Sequence, residues 1–117
     1  MAEQAARSFT VEKRDQAVIV QPQVKMLDDD QLKMLIRLID EAAGANSGVM
    51  LVILDLGRVS ILPSLALGLL VQISKNCKAR EQKLKLTGLQ PQVRKVFAVT
   101  RLDRIFQFAD SAQAAME

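Results

Sequence analysis

VMLVILDLGRVSILPSLALGLL, residues 49–70, is the stretch that decides the fold. Seven of its first eight residues are apolar, and Val49, Val52 and Ile53 are branched. A strand with one wet face alternates apolar and polar residues. An unbroken apolar run bounded by turn residues reads instead as a strand buried on both faces, as central parallel strands are. Val49–Leu56 is therefore expected near the centre of a sheet, with Ile53 fully buried. Asp55 stands at its C-terminal end and Gly57 opens a loop to Leu62. A helix is expected over Pro63–Arg80, because a proline in the first turn lacks only an N–H that would have been unpaired there.

The same alternation extends in both directions. Phe9–Lys13 and Ala17–Gln21 read as two strands joined by the polar turn Arg14–Asp15–Gln16, close enough to pair antiparallel. Pro22 limits the second. Asp28, Asp29 and Asp30 suit a helix N-terminus, where unpaired amides carry partial positive charge. Leu32, Leu35, Ile36, Ile39 and Ala43 follow at helical spacing, and Gly44 or Gly48 can end the helix. Downstream, Lys83–Thr87 alternates as a short strand and Gly88 breaks it. Pro91 opens a helix that turns Val93, Val96, Phe97 and Thr100 inward. Ile105–Phe108 reads as the last strand, and Asp110 or Ser111 caps a terminal helix through Met116. The order ββαβαβαβα predicts an α/β fold: one domain over residues 1–117, core about 9–116, with a mixed, mostly parallel sheet of about five strands and about four helices.

Composition narrows the function. Half of the 117 residues are hydrophobic but only 3% are aromatic, so an aliphatic core is expected. There is no His, which removes His-based nucleophile activation and His metal sites. The single cysteine, Cys77, cannot form an intrachain disulfide or a thiolate zinc site. With Leu70 and Ile73 spaced before it, Cys77 reads as a small buried hydrophobe. The five Gly are scattered, without a P-loop or dinucleotide fingerprint. No cofactor, no metal and no enzymatic activity are expected. The N-terminal MAEQAARSF carries no secretory run, and the apolar stretch Ile61–Val71 falls short of the ~18 residues of a membrane span. The expectation is a cytoplasmic protein with no membrane insertion.

Charge is uneven. Residues 1–57 hold 6 Lys/Arg against 9 Asp/Glu, and residues 58–117 hold 10 against 4. That asymmetry can steer an acidic partner, although solvated basic helix faces account for it more simply. Direct nucleic-acid binding is not expected, because the cations are dispersed and no aromatic stacking platform accompanies them.

VILDLGRVSILPSLALGLL resembles the signature of the STAS domain, in which a buried strand ending in Asp leads to an Asp-Ser-Ser-Gly-Leu-Gly helix start. LTGLQPQVRKVFAVTRLDRIFQFADSAQAA resembles the C-terminal half of that family, where a strand ends in Gly, a Pro starts a helix and a Leu-Asp pair precedes the last strand. Pro63 stands where the family usually has Asp, and Leu65 and Ala66 replace Ser and Gly, while Leu67 and Gly68 are kept. Leu27–Asp28 keeps a familiar pair, with Lys25 in place of a common Gly.

The resemblance implies a regulatory binding module similar to bacterial anti-sigma-factor antagonists, whose partner is an anti-sigma factor with serine-kinase activity. Ser64 falls at the position of their phosphorylatable Ser. Phosphorylation would add about −1.5 to −2 charges at pH 7 to a helix start that accommodates an anion. Ser64 also admits a plain reading, as a residue that caps or lines the helix. Arg58, Ser60, Leu62, Pro63, Ser64, Leu65 and Leu67, with Gly88, Leu89 and Gln90, are expected to form the partner face, because both segments follow parallel strands. Asp55 is read as bonding loop amides. The leucines at 62, 65, 67, 69 and 70 cannot all face one core. Other STAS roles remain open: an accessory subunit of an ABC-type lipid transporter, or a nucleotide- or small-ligand-sensing domain. A homodimer is also left open.

Overall fold

The computed structural model describes residues 8–116. Five strands form one sheet in the order β1-β2-β3-β4-β5: Phe9–Arg14, Ala17–Pro22, Leu51–Asp55, Lys83–Thr87 and Gln107–Ala109. β1 and β2 pair antiparallel from Phe9↔Pro22 to Arg14↔Ala17, and the turn between them puts Asp15 in the left-handed region, which its short side chain tolerates. β2, β3, β4 and β5 all run parallel, with Ile19↔Ile53↔Lys85↔Gln107 in one row. The helices are α1 (Asp29–Ala42), α2 (Leu67–Ala79), α3 (Pro91–Val99) and α4 (Ala112–Met116).

The expected central strand is central, and its two faces meet different neighbours. Val52 and Leu54 point into the main core, against Leu32, Leu35 and Ile39 of α1 and Leu70 and Ile73 of α2. Ile53 points the other way, into a small cluster with Ile19 and Ala115. The five-residue α4 thus makes β3 a strand buried on both faces. Lys85 Nζ donates to the Ala115 carbonyl at 2.8 Å, and Ser111 Oγ accepts from the Ala114 amide, which fixes that helix on the sheet.

At the start of α1, Asp28 is the cap, its carboxylate accepting from the Gln31 amide. At its end the helix stops at Ala42, two residues before Gly44, and the buried Gln82 donates to the carbonyls of Ala43 (2.7 Å) and Val49 (3.0 Å). The core is aliphatic at its centre, but Phe97, Phe106 and Phe108 gather at the β5 edge with edge-to-face centroid distances of 5.5 and 5.6 Å.

Three expectations are corrected. The helix expected from Pro63 begins as a 3₁₀ turn over Ser64–Ala66, and α2 proper starts at Leu67. The last strand is Gln107–Ala109 rather than Ile105–Phe108, because Arg101 turns left-handed after α3 and Leu102–Arg104 form a second 3₁₀ turn. The amides of Ile105 and Phe106 both donate to the Leu102 carbonyl, so neither is free for the sheet ladder, and Ile105 is left exposed. Thr100 faces solvent and returns its hydroxyl to the Val96 carbonyl at 2.7 Å, a bond open to a threonine in a last helical turn.

Both faces of β3 can be tested by truncation. Leu54→Ala and Ile53→Ala are each expected to cost about 2–5 kcal/mol in reversible denaturation, with Leu54 the costlier, since short α4 can settle toward the gap. A loss below about 1 kcal/mol for Ile53→Ala would mean that α4 does not hold its place on the sheet.

Candidate partner-binding site

Three parallel strands end on the same side, and the segments that follow them build one surface. After β3, the Gly57 amide donates to Asp55 Oδ1 at 2.9 Å, which turns the chain away from the sheet. After β4, Gln90 Nε2 donates to the Gly57 carbonyl at 2.9 Å, and the Leu56 amide to the Thr87 carbonyl. Gly88 holds φ +69, and a Cβ there would lie 2.8 Å from Asp55 Oδ1 and 3.3 Å from Gly57 Cα. Only glycine combines that dihedral with that approach. Asp55 thus has the structural role read from the sequence.

After β2, Lys25–Leu27 lies alongside Ser60–Ile61. The Lys25 carbonyl accepts from the amides of Ser60 and Ile61 at 2.9 Å each, the Leu27 amide donates to the Ile61 carbonyl at 3.0 Å, and Met26 and Ile61 form a parallel bridge. The chain then passes extended Pro63 into the 3₁₀ turn, where the Ala66 amide returns to the Pro63 carbonyl.

The structure sorts the ten expected face residues. Arg58, Ser64 and Leu65 are exposed, with Leu65 at 90%. Ser60, Pro63, Gly88, Leu89 and Gln90 are half-buried, and Leu89 rests on the core. Leu62 and Leu67 are corrected to core residues: the 3₁₀ turn rolls Leu65 outward, and their side chains pack with Ala66 and Leu70. The crowding of leucines is resolved with 62, 67 and 70 inside and 65 outside. Ser64 is the first residue of the 3₁₀ turn, whose cap position is Pro63, so it lines the helix start as the plain reading allows, and it is exposed.

Sequence reasoning missed Met26 (45% exposed), Ile61 (53%) and Lys25. The signal was available: β2 is parallel to β3, so the segment after it emerges at the same sheet end. Cys77 lies in the main core; burial pushes its thiol pKa up, against the pull of nearby Arg80. Among the described residues, no group of three or more His, Cys, Asp or Glu side chains could hold a metal ion, and no helix is long and apolar enough to cross a membrane.

The STAS family model matches residues 8–115. The chain belongs to the STAS domain family. A protein of Bordetella bronchiseptica named as a candidate anti-sigma factor antagonist, BtrV, is 35% identical over 74 residues, which cover 63% of this chain and 64% of the length of BtrV. The crystal structure of a candidate anti-sigma factor antagonist from Thermotoga maritima superposes with a TM-score of 0.78 at 23% identity, covering 96% of this chain and 94% of that one. The Bacillus antagonist SpoIIAA is similar in its unphosphorylated form (TM-score 0.72, 22% identity, 91% of each chain). It is also similar in its phosphorylated form (TM-score 0.67, 22% identity, 91% of this chain and 95% of that one). These relatives are named as regulators rather than enzymes, and the fold of this STAS domain is that of anti-sigma factor antagonists.

The junction of the two loops in this STAS domain makes two opposite predictions. Gly88→Ala is expected to lower stability by about 1–3 kcal/mol, through strained backbone and the clash with Asp55. Thr87, paired with Asp55 across the ladder, is fully buried with no partner for its hydroxyl. Thr87→Val removes an unpaired buried group at constant shape, so thermal unfolding should be unchanged or shifted upward.

Proposed function

We propose that this STAS domain is a cytoplasmic anti-sigma factor antagonist that binds an anti-sigma factor of serine-kinase type through the surface around Ser64, and that Ser64 is the phosphoacceptor. The observation that carries the reading is an exposed serine at the first position of the 3₁₀ turn, beside an almost fully exposed leucine. The name of BtrV and the existence of SpoIIAA in unphosphorylated and phosphorylated forms support it.

The chemistry follows from what each state of Ser64 asks of the partner. With a neutral hydroxyl, Leu65, Met26 and Ile61 can be dehydrated against an apolar partner at a favourable free energy of about 25 cal/mol per Å². A phosphoryl group adds about −1.5 to −2 charges at the centre of that contact, which would have to be stripped of water for the same surfaces to meet. The partner is then released, while the fold beneath is undisturbed.

Mixing the purified chain with ATP and the serine-kinase anti-sigma factor of the same genome, followed by mass spectrometry, should place phosphate on Ser64. Ser64→Ala should bind that kinase as the parent does. Ser64→Asp should bind at least tenfold more weakly with an unchanged melting temperature, since its charge acts on the contact and not on the core. Equal affinity for the acidic variant, with Ser64 unmodified, would count against the reading. The Pro63 that replaces the usual Asp would then mark a STAS domain that docks without a phosphoswitch, as an accessory transporter subunit does.

A further inference from the structure

The surface around Ser64 carries a charge order. Met26 and Ile61 are paired in parallel, so the two short segments run side by side in one direction. Ahead of the pair, on the N-terminal side, stand the exposed cations Lys25 and Arg58. Beyond it, where the chain enters α1, stand the exposed carboxylates of Asp29 and Asp30. Between them lie Met26 and Ile61, and Leu65 follows on the 3₁₀ turn after Ile61; these are three of the seven large apolar side chains exposed on the described residues. The two ion pairs among the described residues are Arg14–Glu12 and Arg80–Asp40, so none of these four charged groups is engaged.

A strip that runs from positive through apolar to negative is complementary to itself when turned by half a rotation. Two copies related by a two-fold axis would bring the cations of each onto the carboxylates of the other, with the apolar side chains meeting at the axis. That is the requirement for an isologous interface. We propose that this chain forms such a dimer through the Ser64 surface. Three exposed side chains with a charged rim fall short of the roughly 800 Å² per partner of a standard interface, so association in the micromolar to millimolar range is expected. The dimer itself stands on the charge order. Its meaning rests on the antagonist reading above: pairing covers Ser64 and Leu65, so a dimer withholds the same surface from the anti-sigma factor and from its kinase activity.

Sedimentation velocity of the full chain tests this without any partner. The parent mass should rise with concentration toward twice 12.9 kDa. Lys25→Glu with Arg58→Glu leaves the strip negative at both ends, and Asp29→Lys with Asp30→Lys leaves it positive at both ends. Each double variant alone should stay monomeric, and an equimolar mixture of the two should associate at least as strongly as the parent. Because lysines at a helix start disfavour α1, Leu65→Ser provides a variant with no folding burden, and it too should stay monomeric. A parent that remains monomeric up to millimolar concentration, reversed variants that dimerise as the parent does, or a mixture that fails to associate would each overturn the proposal. A monomeric parent that nonetheless binds the kinase would overturn the dimer and leave the antagonist reading standing. A dimer in a chain that binds no kinase would do the reverse.

Discussion

The parallel register of β3 between β2 and β4 is the constraint on which the rest of this molecule depends. Val18↔Val52↔Leu84 and Val20↔Leu54↔Leu86 set the inward rows, and every residue of those rows is buried. A slip of one residue would turn the apolar set of β3 to the opposite face. On most strands such a slip exposes a hydrophobic row. Here it would exchange Ile53 with Val52 and Leu54, all apolar, so β3 by itself specifies register weakly. The neighbours supply what β3 lacks: Lys83 and Lys85 alternate with Leu84 and Leu86, and burying those lysines would cost far more than the strand gains.

The same register sets the end of the sheet at which the candidate site lies. Parallel strands must all leave the sheet on one side, so the segments after β2, β3 and β4 converge whatever their sequences are. Convergence alone does not make a stable surface, because backbone amides at strand ends need partners. In this domain they find one another: the Asp55 carboxylate takes the Gly57 amide, the Gln90 side chain takes the Gly57 carbonyl, and the Lys25 carbonyl takes two amides from Ser60 and Ile61. The result is a base for Ser64 and Leu65 assembled mostly from main-chain bonds, which tolerates variation in the side chains that point outward.

This explains what could be read from the sequence. Strand and helix order was legible because periodicity and punctuation agree at Asp28, Pro91 and Ser111, each of which begins a helix as its chemistry suggests. The central place of β3 was legible from its unbroken apolar run. The 3₁₀ turns were not, because Pro63 and Leu102 fit the first turn of either helix type and the choice depends on how the chain must meet the core. The inward placement of Leu62 and Leu67 followed from that turn and was hidden with it. Met26 and Ile61 were hidden for another reason: an exposed apolar residue looks in sequence like a core residue, and only the strap between Lys25 and Ile61 shows which side of the chain is wet.

The exposure of Leu65 follows from the same geometry. A continuous helix from Pro63 would advance about 100° per residue, whereas the tighter 3₁₀ turn advances about 120°. Over Ser64–Ala66 that difference lets Ala66 and Leu67 both reach the core while Leu65 is carried outward. A leucine so placed has no folding purpose, since burying it would stabilise the domain by about 1.5–3 kcal/mol. That gain is forgone at a position whose neighbour is an exposed serine. The Pro63 dihedrals, φ −61 and ψ 138, hold the entry to the turn, and proline offers no side-chain acceptor that would engage the amides behind it. The 3₁₀ turn therefore presents an exposed leucine and an exposed serine hydroxyl side by side. On the function proposed above, a change of charge at the second would govern the first without any rearrangement of the fold.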